Sequence, residues 1–231
     1  MSEKKLELFI DGRFDQKIEF TARKVINTGY SGRNQAEIKK HIDELKALGI
    51  PAPERTPLFL PKPAHLLSTT DSMEVIDHDN TGEAEAVLLV GKEEIYVAVG
   101  SDHSDRKLHA VNIPKSKQLY PNFISRAVWR LSDVEDHWDE LMLRSSINGP
   151  EGRQVYQEGR LSALLRPRDV LAAINPLIGG YLSGLVIYLG TLATKGEIKF
   201  SDRFEAELVD EVRGQALYCG YSIELINWFH D

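Results

Sequence analysis

The stretch from Thr81 to Arg106 constrains the fold of this chain most, because it has the pattern of a β-hairpin with acidic residues at its open end. Residues 86–90 and 95–99 are apolar or aromatic, and a polar turn at residues 91–94 separates them. A strand that is apolar on both faces is usually buried on both faces. We therefore expect this hairpin to lie inside the protein rather than at its surface.

Three carboxylates are predicted to converge at the open end of this hairpin. A turn at residues 91–94 pairs Glu85 with Gly100 and Glu83 with Asp102, and alternate side chains of a strand share a face. Opposed residues have Cβ atoms roughly 4.5–5.5 Å apart, and same-face neighbours lie about 6.6 Å apart. Three like charges this close require raised pKa values or a cation. The pattern predicts magnesium, or alternatively manganese or calcium, although a solvated strand end would give the same residues.

Length and composition indicate a globular protein of one domain. Its 231 residues are 42% hydrophobic and 27% charged, and we expect residues 1–23 to form a small N-terminal hairpin appendage to a main domain at residues 24–231. The net charge of −7 argues against nucleic acid or an anionic membrane as main partner. A single cysteine, Cys219, fits a reducing cytoplasm. The N-terminus lacks the layout of a signal peptide, and the most apolar run, Leu182–Leu189, is too short to cross a bilayer.

Short strands dominate the remaining pattern, which favours a strand-rich α+β fold. Strands are expected within residues 5–20, 24–27, 140–146, 153–159, 185–189, 204–209 and 214–226. Helices are expected at residues 34–48, 121–138 and 166–174. Five of the ten prolines lie between Ile50 and Pro63, where we expect an irregular, ordered loop.

The order of the acidic motifs resembles that of the fumarylacetoacetate hydrolase superfamily. Residues 83–86, E-A-E-A, are similar to the family's E-x-E-L-A strand, and residues 102–106, D-H-S-D-R, to its D-V-S-A-R-D segment. The resemblance implies that Glu83, Glu85 and Asp102 bind a divalent metal in a β-sheet roll with a few peripheral helices. The family usually has a longer, partly helical excursion between these segments, whereas only a tight hairpin fits here.

His41 and Glu44 form an H-x-x-E pattern on the first predicted helix, where residues three apart share a face. A carboxylate beside an imidazole orients it and raises its pKa, which suits a general base acting through water. Such pairs also occur on solvated helices. The family has a similar segment, followed by prolines and an F-x-K-P motif like residues 59–63 here. The resemblance implies that the pair lies on a lid and activates a water.

The resemblance also implies a lysine near the metal that polarises a substrate carbonyl. Lys115 matches the family's K-S-F-like segment by the serine that follows it, and Lys117 matches by its position. Both remain candidates, and each also has the alternative of being an ordinary surface lysine.

Four further residues are candidates for contact with the substrate. Thr191 ends a strand that is similar to the family's T-G-T-P element, although a leucine replaces the proline here. Arg33 and Arg106 suit bidentate recognition of a carboxylate, while pairing with neighbouring aspartates is the alternative for Arg106. His109 holds the position of a glutamine that is common in the family, and a purely structural role is its alternative.

Together with these residues, the resemblance implies a cytoplasmic metalloenzyme that acts on a small keto or enol acid, and it also implies a homodimer. Our first expectation is hydrolysis of a C–C bond in an acylpyruvate-like compound, because a divalent metal stabilises enolate-like charge. Decarboxylation, hydration and isomerisation of 2-keto acids pass through similar charge and are alternatives. A non-catalytic small-molecule binding protein with the same fold is a further alternative.

Overall fold

The computed structural model describes residues 3–47, 53, 55–149 and 152–229, apart from the side chains at positions 41 and 44–47. The strands are β1 (Lys4–Ile10), β2 (Lys17–Ala22), β3 (Lys24–Gly29), β4 (Leu58–Lys62), β5 (Leu67–Ser68), β6 (Ser72–Val75), β7 (Asn80–Thr81), β8 (Ala84–Val90), β9 (Ile95–Asp102), β10 (Ser104–Asp105), β11 (Asn122–Ile124), β12 (Ala127–Arg130), β13 (Met142–Gly149), β14 (Gly152–Arg160), β15 (Leu185–Thr191), β16 (Arg203–Asp210) and β17 (Gln215–Leu225). The α-helices are α1 (Gln35–Ala47), α2 (Arg106–His109), α3 (Ile113–Gln118) and α4 (Pro167–Ile174), and short 3-10 helices cover Ala64–Leu66, Leu131–Asp133, Glu135–Glu140, Leu161–Ala163 and Asn175–Ile178. Within the described ranges, every helix is too short or too polar to cross a bilayer.

The larger of the two main sheets places the acidic hairpin near its middle. Eight of its ten strands follow the order β2-β1-β12-β9-β8-β15-β3-β4, and β11 and β5 join beside β9. Strand β8 pairs with β9 on one side and with β15 on the other, and all seven of its residues are buried. The expectation that this strand is buried on both faces is confirmed.

Each face of the larger sheet carries its own hydrophobic cluster, and β8 contributes to both. Ala86 and Leu88 pack in a cluster shared with the five-stranded sheet, whose order is β14-β13-β16-β17-β6. Val87 and Leu89 pack in a second cluster with apolar residues of the β1–β2 hairpin. That hairpin joins the large sheet through parallel pairing of β1 with β12. The β8–β9 hairpin is therefore packed against apolar side chains on both faces of the sheet.

Most of the expected elements are confirmed. The β1–β2 hairpin turns at Asp11 and Gly12, which both have positive φ angles. Helix α1 begins after Asn34, whose Oδ1 accepts the N–H of Glu37 at 3.3 Å. The predicted strands near the C-terminus correspond to β13 to β17, and α4 has Pro167 at its first position. The strand-rich α+β fold class is also confirmed.

The helix predicted at residues 121–138 is wrong. Strand β11 pairs antiparallel with β9, and β12 lies between β1 and β9, so that only short 3-10 helices follow from residue 131. The spacing of Ile124, Val128 and Leu131 imitates a helical stripe, but the first two pack in one cluster and Leu131 packs in the other. Pairing with distant strands overrode the local period.

The irregular loop predicted from Ile50 to Pro63 is wrong in its second half, where β4 pairs antiparallel with β3. Strand β4 stands at the end of the sheet order, and an end strand tolerates Pro61 because the missing N–H need not face a partner. Residues 50–52 and 54 of the predicted loop lie outside the described residues.

Candidate functional site

Three carboxylates meet where β8 begins and β9 ends. Glu85 stands opposite Gly100 as predicted, and the N–H of Asp102 donates to the carbonyl of Glu83 at 3.0 Å. The three carboxylates each offer one oxygen, and these oxygens lie within 4.8 Å of one another. Glu85 and Asp102 are buried, and Glu83 is half-buried. The predicted convergence of the three side chains is therefore observed.

Glu85 is held in place by the end of β15. Its Oε2 accepts the N–H of Gly190 at 2.5 Å. Gly190 has a φ angle of +96°, and a Cβ at this position would lie 1.8 Å from Ser31 Oγ, so only glycine permits the close approach. Burial, followed by the charge of Asp102, raises the pKa of Glu85 well above its ordinary value. A nearby cation would favour the ionised carboxylate.

Lys117 is the lysine that reaches the carboxylates. Its Nζ lies 2.5 Å from Glu83 Oε2 and 2.6 Å from Asp102 Oδ2. Burial opposes the charge of Lys117, but these carboxylates outweigh it and raise its pKa. Lys115 is exposed, because residues two apart point to different sides of a helix. Of the two candidate lysines, the structure brings only Lys117 to the carboxylates.

A second buried lysine, Lys62, was not assigned a role from the sequence. Its side chain is 1% exposed and its Nζ lies 3.8 Å from Asp102 Oδ1. The same Nζ donates to Asn122 Oδ1 at 2.5 Å, and Asn122 donates to Asn27 Oδ1 at 2.6 Å. Burial lowers the pKa of Lys62 to about 8. Residues 59–63, F-L-P-K-P, are similar to the family's F-x-K-P motif and were the available signal for Lys62, but the prolines favoured a loop rather than β4, which carries the lysine into the sheet.

The donor atoms of this cluster fit a hard divalent cation. Among the described residues, the partners of the buried Asp102 carboxylate are two lysines, with Oδ2 2.6 Å from Lys117 Nζ and Oδ1 3.8 Å from Lys62 Nζ. Glu85 forms no ion pair with any described residue, although Glu83 pairs with both Lys117 and Arg106. Buried carboxylate oxygens that lack full compensation are the ligands that magnesium, manganese and calcium prefer.

Three of the predicted substrate-binding residues lie beside the cluster. Arg106 donates from Nη1 to Glu83 Oε1 at 3.1 Å. His109 lines the same cavity as the carboxylates, and burial, with a contribution from the charge of Lys117, lowers its pKa to about 4. Thr191 also lines the cavity, but its hydroxyl already donates to the carbonyl of Ala84 at 2.8 Å. Thr191 thereby holds the end of β15 against β8.

Arg33 is not brought to the carboxylate cluster. Its two terminal nitrogens donate to the carboxylate of Asp139, each at 2.7 Å, and its Nε donates to the carbonyl of Leu164 at 2.9 Å. Arg33 is absent from the described lining of the cavity. Its guanidinium instead fastens the segment before α1 to the segment before α4.

The predicted general-base pair lies on α1, which runs from Gln35 to Ala47. The side chains of His41 and Glu44 are outside the part of the chain whose side chains the structure describes. Ile38, on the same helix, lines the cavity. The role of His41 and Glu44 therefore stays a prediction.

His103 lies away from the carboxylates, as expected from strand alternation. Its ring nitrogens contact Tyr221 Oη and Asn80 Oδ1, both at 2.8 Å. Burial lowers the pKa of His103 to about 3 and thus favours its neutral form. These contacts give His103 a structural role between the two main sheets.

A cavity of ≈ 790 Å³ lies beside the cluster, and the three carboxylates, Lys117 and His109 line part of its wall. Residues 27–32, which are the end of β3 and the start of the segment that leads to α1, form another part of its wall. This volume is within the range of small-molecule sites in proteins, about 300–1,000 Å³. The cavity therefore offers room for an organic ligand beside the carboxylate cluster.

Comparison with known sequences gives one family match. A family model described as "Protein of unknown function (DUF2848)" matches residues 28–221. None of the curated proteins compared with this chain matches its sequence.

Solved structures similar to this fold include fumarylacetoacetate hydrolase family proteins. A candidate fumarylacetoacetate isomerase/hydrolase from Oleispira antarctica is 21% identical, with a TM-score of 0.63 over 94% of this chain and 99% of that chain. Maleylpyruvate hydrolase from Sphingobium sp. SYK-6, in complex with manganese(II) and pyruvate, is 15% identical, with a TM-score of 0.60 over 87% of this chain and 70% of that one. A 2-keto-3-deoxy-D-arabinonate dehydratase complexed with magnesium and 2,5-dioxopentanoate is 15% identical, with a TM-score of 0.61 over 92% and 78% of the two chains. These similarities confirm the expected fold.

Proposed function

Because the chain belongs to the DUF2848 family and has the fold of fumarylacetoacetate hydrolase family proteins, we propose that it is a divalent-metal-dependent enzyme acting on small keto acids. The reaction proposed first is hydrolysis of a C–C bond in an acylpyruvate-like compound. The observation that carries this proposal is the cluster of Glu83, Glu85 and Asp102 at one wall of a cavity large enough for such a ligand.

The nature of the ligand atoms supports metal dependence. Glu83, Glu85 and Asp102 would hold the ion through carboxylate oxygens, one from each residue, which lie within 4.8 Å of one another. When bound, magnesium or manganese would supply Lewis-acid polarisation of the substrate's oxygens. Two structurally similar proteins are described as binding manganese with pyruvate and magnesium with 2,5-dioxopentanoate.

The chain's own residues supply the rest of the proposed chemistry. Breaking a C–C bond beside a carbonyl leaves an electron pair that becomes negative charge on the substrate's oxygen. The Nζ of Lys117, already positioned by Glu83 and Asp102, offers positive charge for that oxygen. We assign to His41, oriented by Glu44, the removal of a proton from the attacking water, whose oxygen bonds to the acyl carbon as the C–C bond breaks. The protonated His41 would then return that proton to the carbon of the enolate that leaves. His109 lines the cavity beside the carboxylates, and we assign to it contact with the polar end of a substrate. Arg106 pairs with Glu83 and is not among the described residues that line this cavity, so its contact with substrate stays a prediction.

Calorimetric titration with magnesium and manganese tests this proposal first. Wild type should bind one ion, and Glu83→Ala, Glu85→Ala and Asp102→Ala should each abolish binding. Products from a panel of acylpyruvates should then be two smaller acids or keto acids. If wild type binds no divalent ion at millimolar concentration, with or without oxalate as a chelating ligand, the metalloenzyme proposal fails.

A dehydratase or another 2-keto acid lyase or isomerase is the second candidate. The observation in its favour is the similarity to a dehydratase complexed with magnesium, which has nearly the same TM-score as the hydrolase. Product analysis separates the reactions, because dehydration releases water without fragmenting the carbon chain. If wild type turns over substrate and His41→Ala does so equally well, His41 has no role in the mechanism. If wild type binds the ligand but turns over nothing, the protein is a binding protein rather than an enzyme.

We also propose that the protein acts as a cytoplasmic homodimer. The exposed aromatic pair Trp228 and Phe229 near the C-terminus provides apolar surface that a second copy would bury. Light scattering after gel filtration should give twice the mass of 26.0 kDa. A monomeric mass across the micromolar range would contradict the homodimer.

A further inference from the structure

The cavity has an extensive apolar surface that the proposed chemistry does not use. Six apolar side chains contribute to it: Ile38, Leu58, Leu60, Ile113, Leu164 and Leu192. The end of β3 and the segment that follows it lie against this surface, since a Cβ on Gly29 would lie 3.8 Å from Leu58 Cβ and one on Gly32 would lie 3.0 Å from Ile38 Cδ1. Residues from α1, β4, α3 and the chain between elements thus share one apolar wall.

This apolar wall is continuous with the charged cluster. Leu58, Leu60 and Lys62 occupy alternate positions of β4 and therefore share a face of the strand. The strand leads from two cavity-lining leucines to the lysine beside Asp102. Helix α3 repeats this arrangement, because Ile113 and Lys117 are four residues apart and share a helix face. A ligand whose head lies at the carboxylates would extend its tail along this wall.

Among the residues whose side chains the structure describes, this wall has no arginine or lysine that could bind a second acidic group. Of the two arginines suited to that task, Arg33 donates both terminal nitrogens to Asp139 and Arg106 donates to Glu83, and neither is among the described residues that line the cavity. Among the described lining residues, Lys117 is the only lysine or arginine, and its Nζ is engaged by the cluster. A carboxylate placed against the apolar wall would lose its hydration without gaining a partner.

On the premise of the proposed function, we infer that the substrate is a 2-oxo acid with an uncharged alkyl or aryl tail, and that Leu58 and Ile113 help to determine this specificity. The 2-oxo acid head lies at the carboxylate cluster, and the tail packs along the apolar wall. Burial of each additional methylene favours binding, while a terminal carboxylate at the same place disfavours it.

Calorimetry in the presence of magnesium tests this inference with pyruvate, 2-oxohexanoate, 2-oxooctanoate and 2-oxoadipate. Affinity should rise from pyruvate along the monoacids by up to roughly fourfold per methylene. The diacid, with the same number of carbons as 2-oxohexanoate, should bind at least about tenfold more weakly than that monoacid.

The outcomes separate this inference from the proposed function. If magnesium and pyruvate bind but 2-oxoadipate binds as tightly as 2-oxohexanoate, the tail specificity is refuted while the metal-dependent function stands. If the length of the alkyl tail has no effect on affinity, the tail specificity is likewise refuted and the metal-dependent function stands. If neither magnesium nor pyruvate binds, both proposals are refuted.

Matched substitutions at Leu58 locate the specificity on the wall. Leu58→Lys adds a cation at a half-buried position and should shift the affinity ratio at least about tenfold toward 2-oxoadipate. Leu58→Met keeps the wall apolar and should keep the wild-type ratio. Ile113→Lys and Ile113→Met repeat the comparison on α3, in case one lysine variant fails to fold. Folded lysine variants that bind magnesium normally and keep the wild-type ratio would overturn the assignment.

Discussion

The replacement of Glu85 by glutamine should stabilise the metal-free protein and remove most of its stabilisation by magnesium. Glu85 is 2% exposed and forms no ion pair among the described residues. Glutamine has nearly the same shape, and its carbonyl oxygen can accept the N–H of Gly190, which lies 2.5 Å from Glu85 Oε2. Its amide group can donate toward Asp102, whose carboxylate lies in the same cluster. Glu85→Gln therefore removes a charge with little change in packing.

The expected magnitude follows from the distances in the cluster. The ligand oxygens lie within 4.8 Å of one another, and two unit charges at that separation repel by about 3.5 kcal/mol at an effective dielectric constant of about 20. Lys117 and Lys62 offset part of this repulsion, so we expect a net stabilisation of about 1–3 kcal/mol. A chain of this size gains about 2–4 °C in Tm per kcal/mol. Magnesium at 100 times its Kd should stabilise the wild-type protein by about 2.7 kcal/mol, and Glu85→Gln should lose most of this stabilisation.

Differential scanning calorimetry in excess chelator and in saturating magnesium measures both effects. In chelator, Glu85→Gln should melt above wild type, and on addition of magnesium wild type should show the larger increase in Tm. Glu93→Gln is the matched control, because Glu93 is exposed in the turn of the same hairpin, and it should behave like wild type in both conditions. The reasoning is refuted if Glu85→Gln melts below wild type in chelator, or if magnesium raises both Tm values equally.

Lys117→Met should reduce kcat/KM at least about 100-fold, because the site loses its ammonium group. Lys115→Met, at an exposed position, is the control and should keep the wild-type kcat/KM. Equal losses in the two variants would contradict the assignment of Lys117 to the site. Arg33→Met should lower the free energy of unfolding in urea by about 1–2 kcal/mol, because Asp139 loses a bidentate partner; an unchanged midpoint would show that the pair contributes nothing. Burial raises the pKa of Glu205, but hydrogen bonds from two arginines and a tyrosine outweigh it and lower the pKa from 4.5 to about 2. The ionised Glu205 therefore stabilises the fold above pH 4.5, and this stabilisation is lost as the pH falls toward 2. Between pH 4.5 and 2, the Tm of Glu205→Gln should fall less than the Tm of wild type. The difference should correspond to about 1–2 kcal/mol of unfolding free energy.

The acidic hairpin could be predicted because its structure is local. Alternation with a period of two assigns each side chain to a face, and a four-residue turn sets the register between residues that are 15 and 19 positions apart. The observed pairing of Glu85 with Gly100 and the hydrogen bond from Asp102 to Glu83 follow from those two facts. The convergence of three carboxylates thus depends on no distant part of the chain.

The lysines and arginines of the site could not be assigned in the same way. Lys62 reaches Asp102 because β4 pairs with β3, and the proline-rich sequence before it favoured a loop instead. Lys117 rather than Lys115 faces the cluster because of how α3 is rotated against the sheet, which the spacing of two lysines does not specify. Arg33 pairs with Asp139, a residue 106 positions away, so its sequence neighbours gave no sign of this partner.

By itself, the sequence determined the strand-rich fold class, the acidic hairpin and its register, because these depend on short-range periodicity and turn chemistry. Tertiary structure decided that residues 122–130 become strands, that Gly190 supports Glu85 across 105 positions, and that an apolar wall stands beside the charged cluster. The physical reason is that pairing between distant strands supplies hydrogen bonds and buried apolar contacts, and together these outweigh the weak preferences of any local segment.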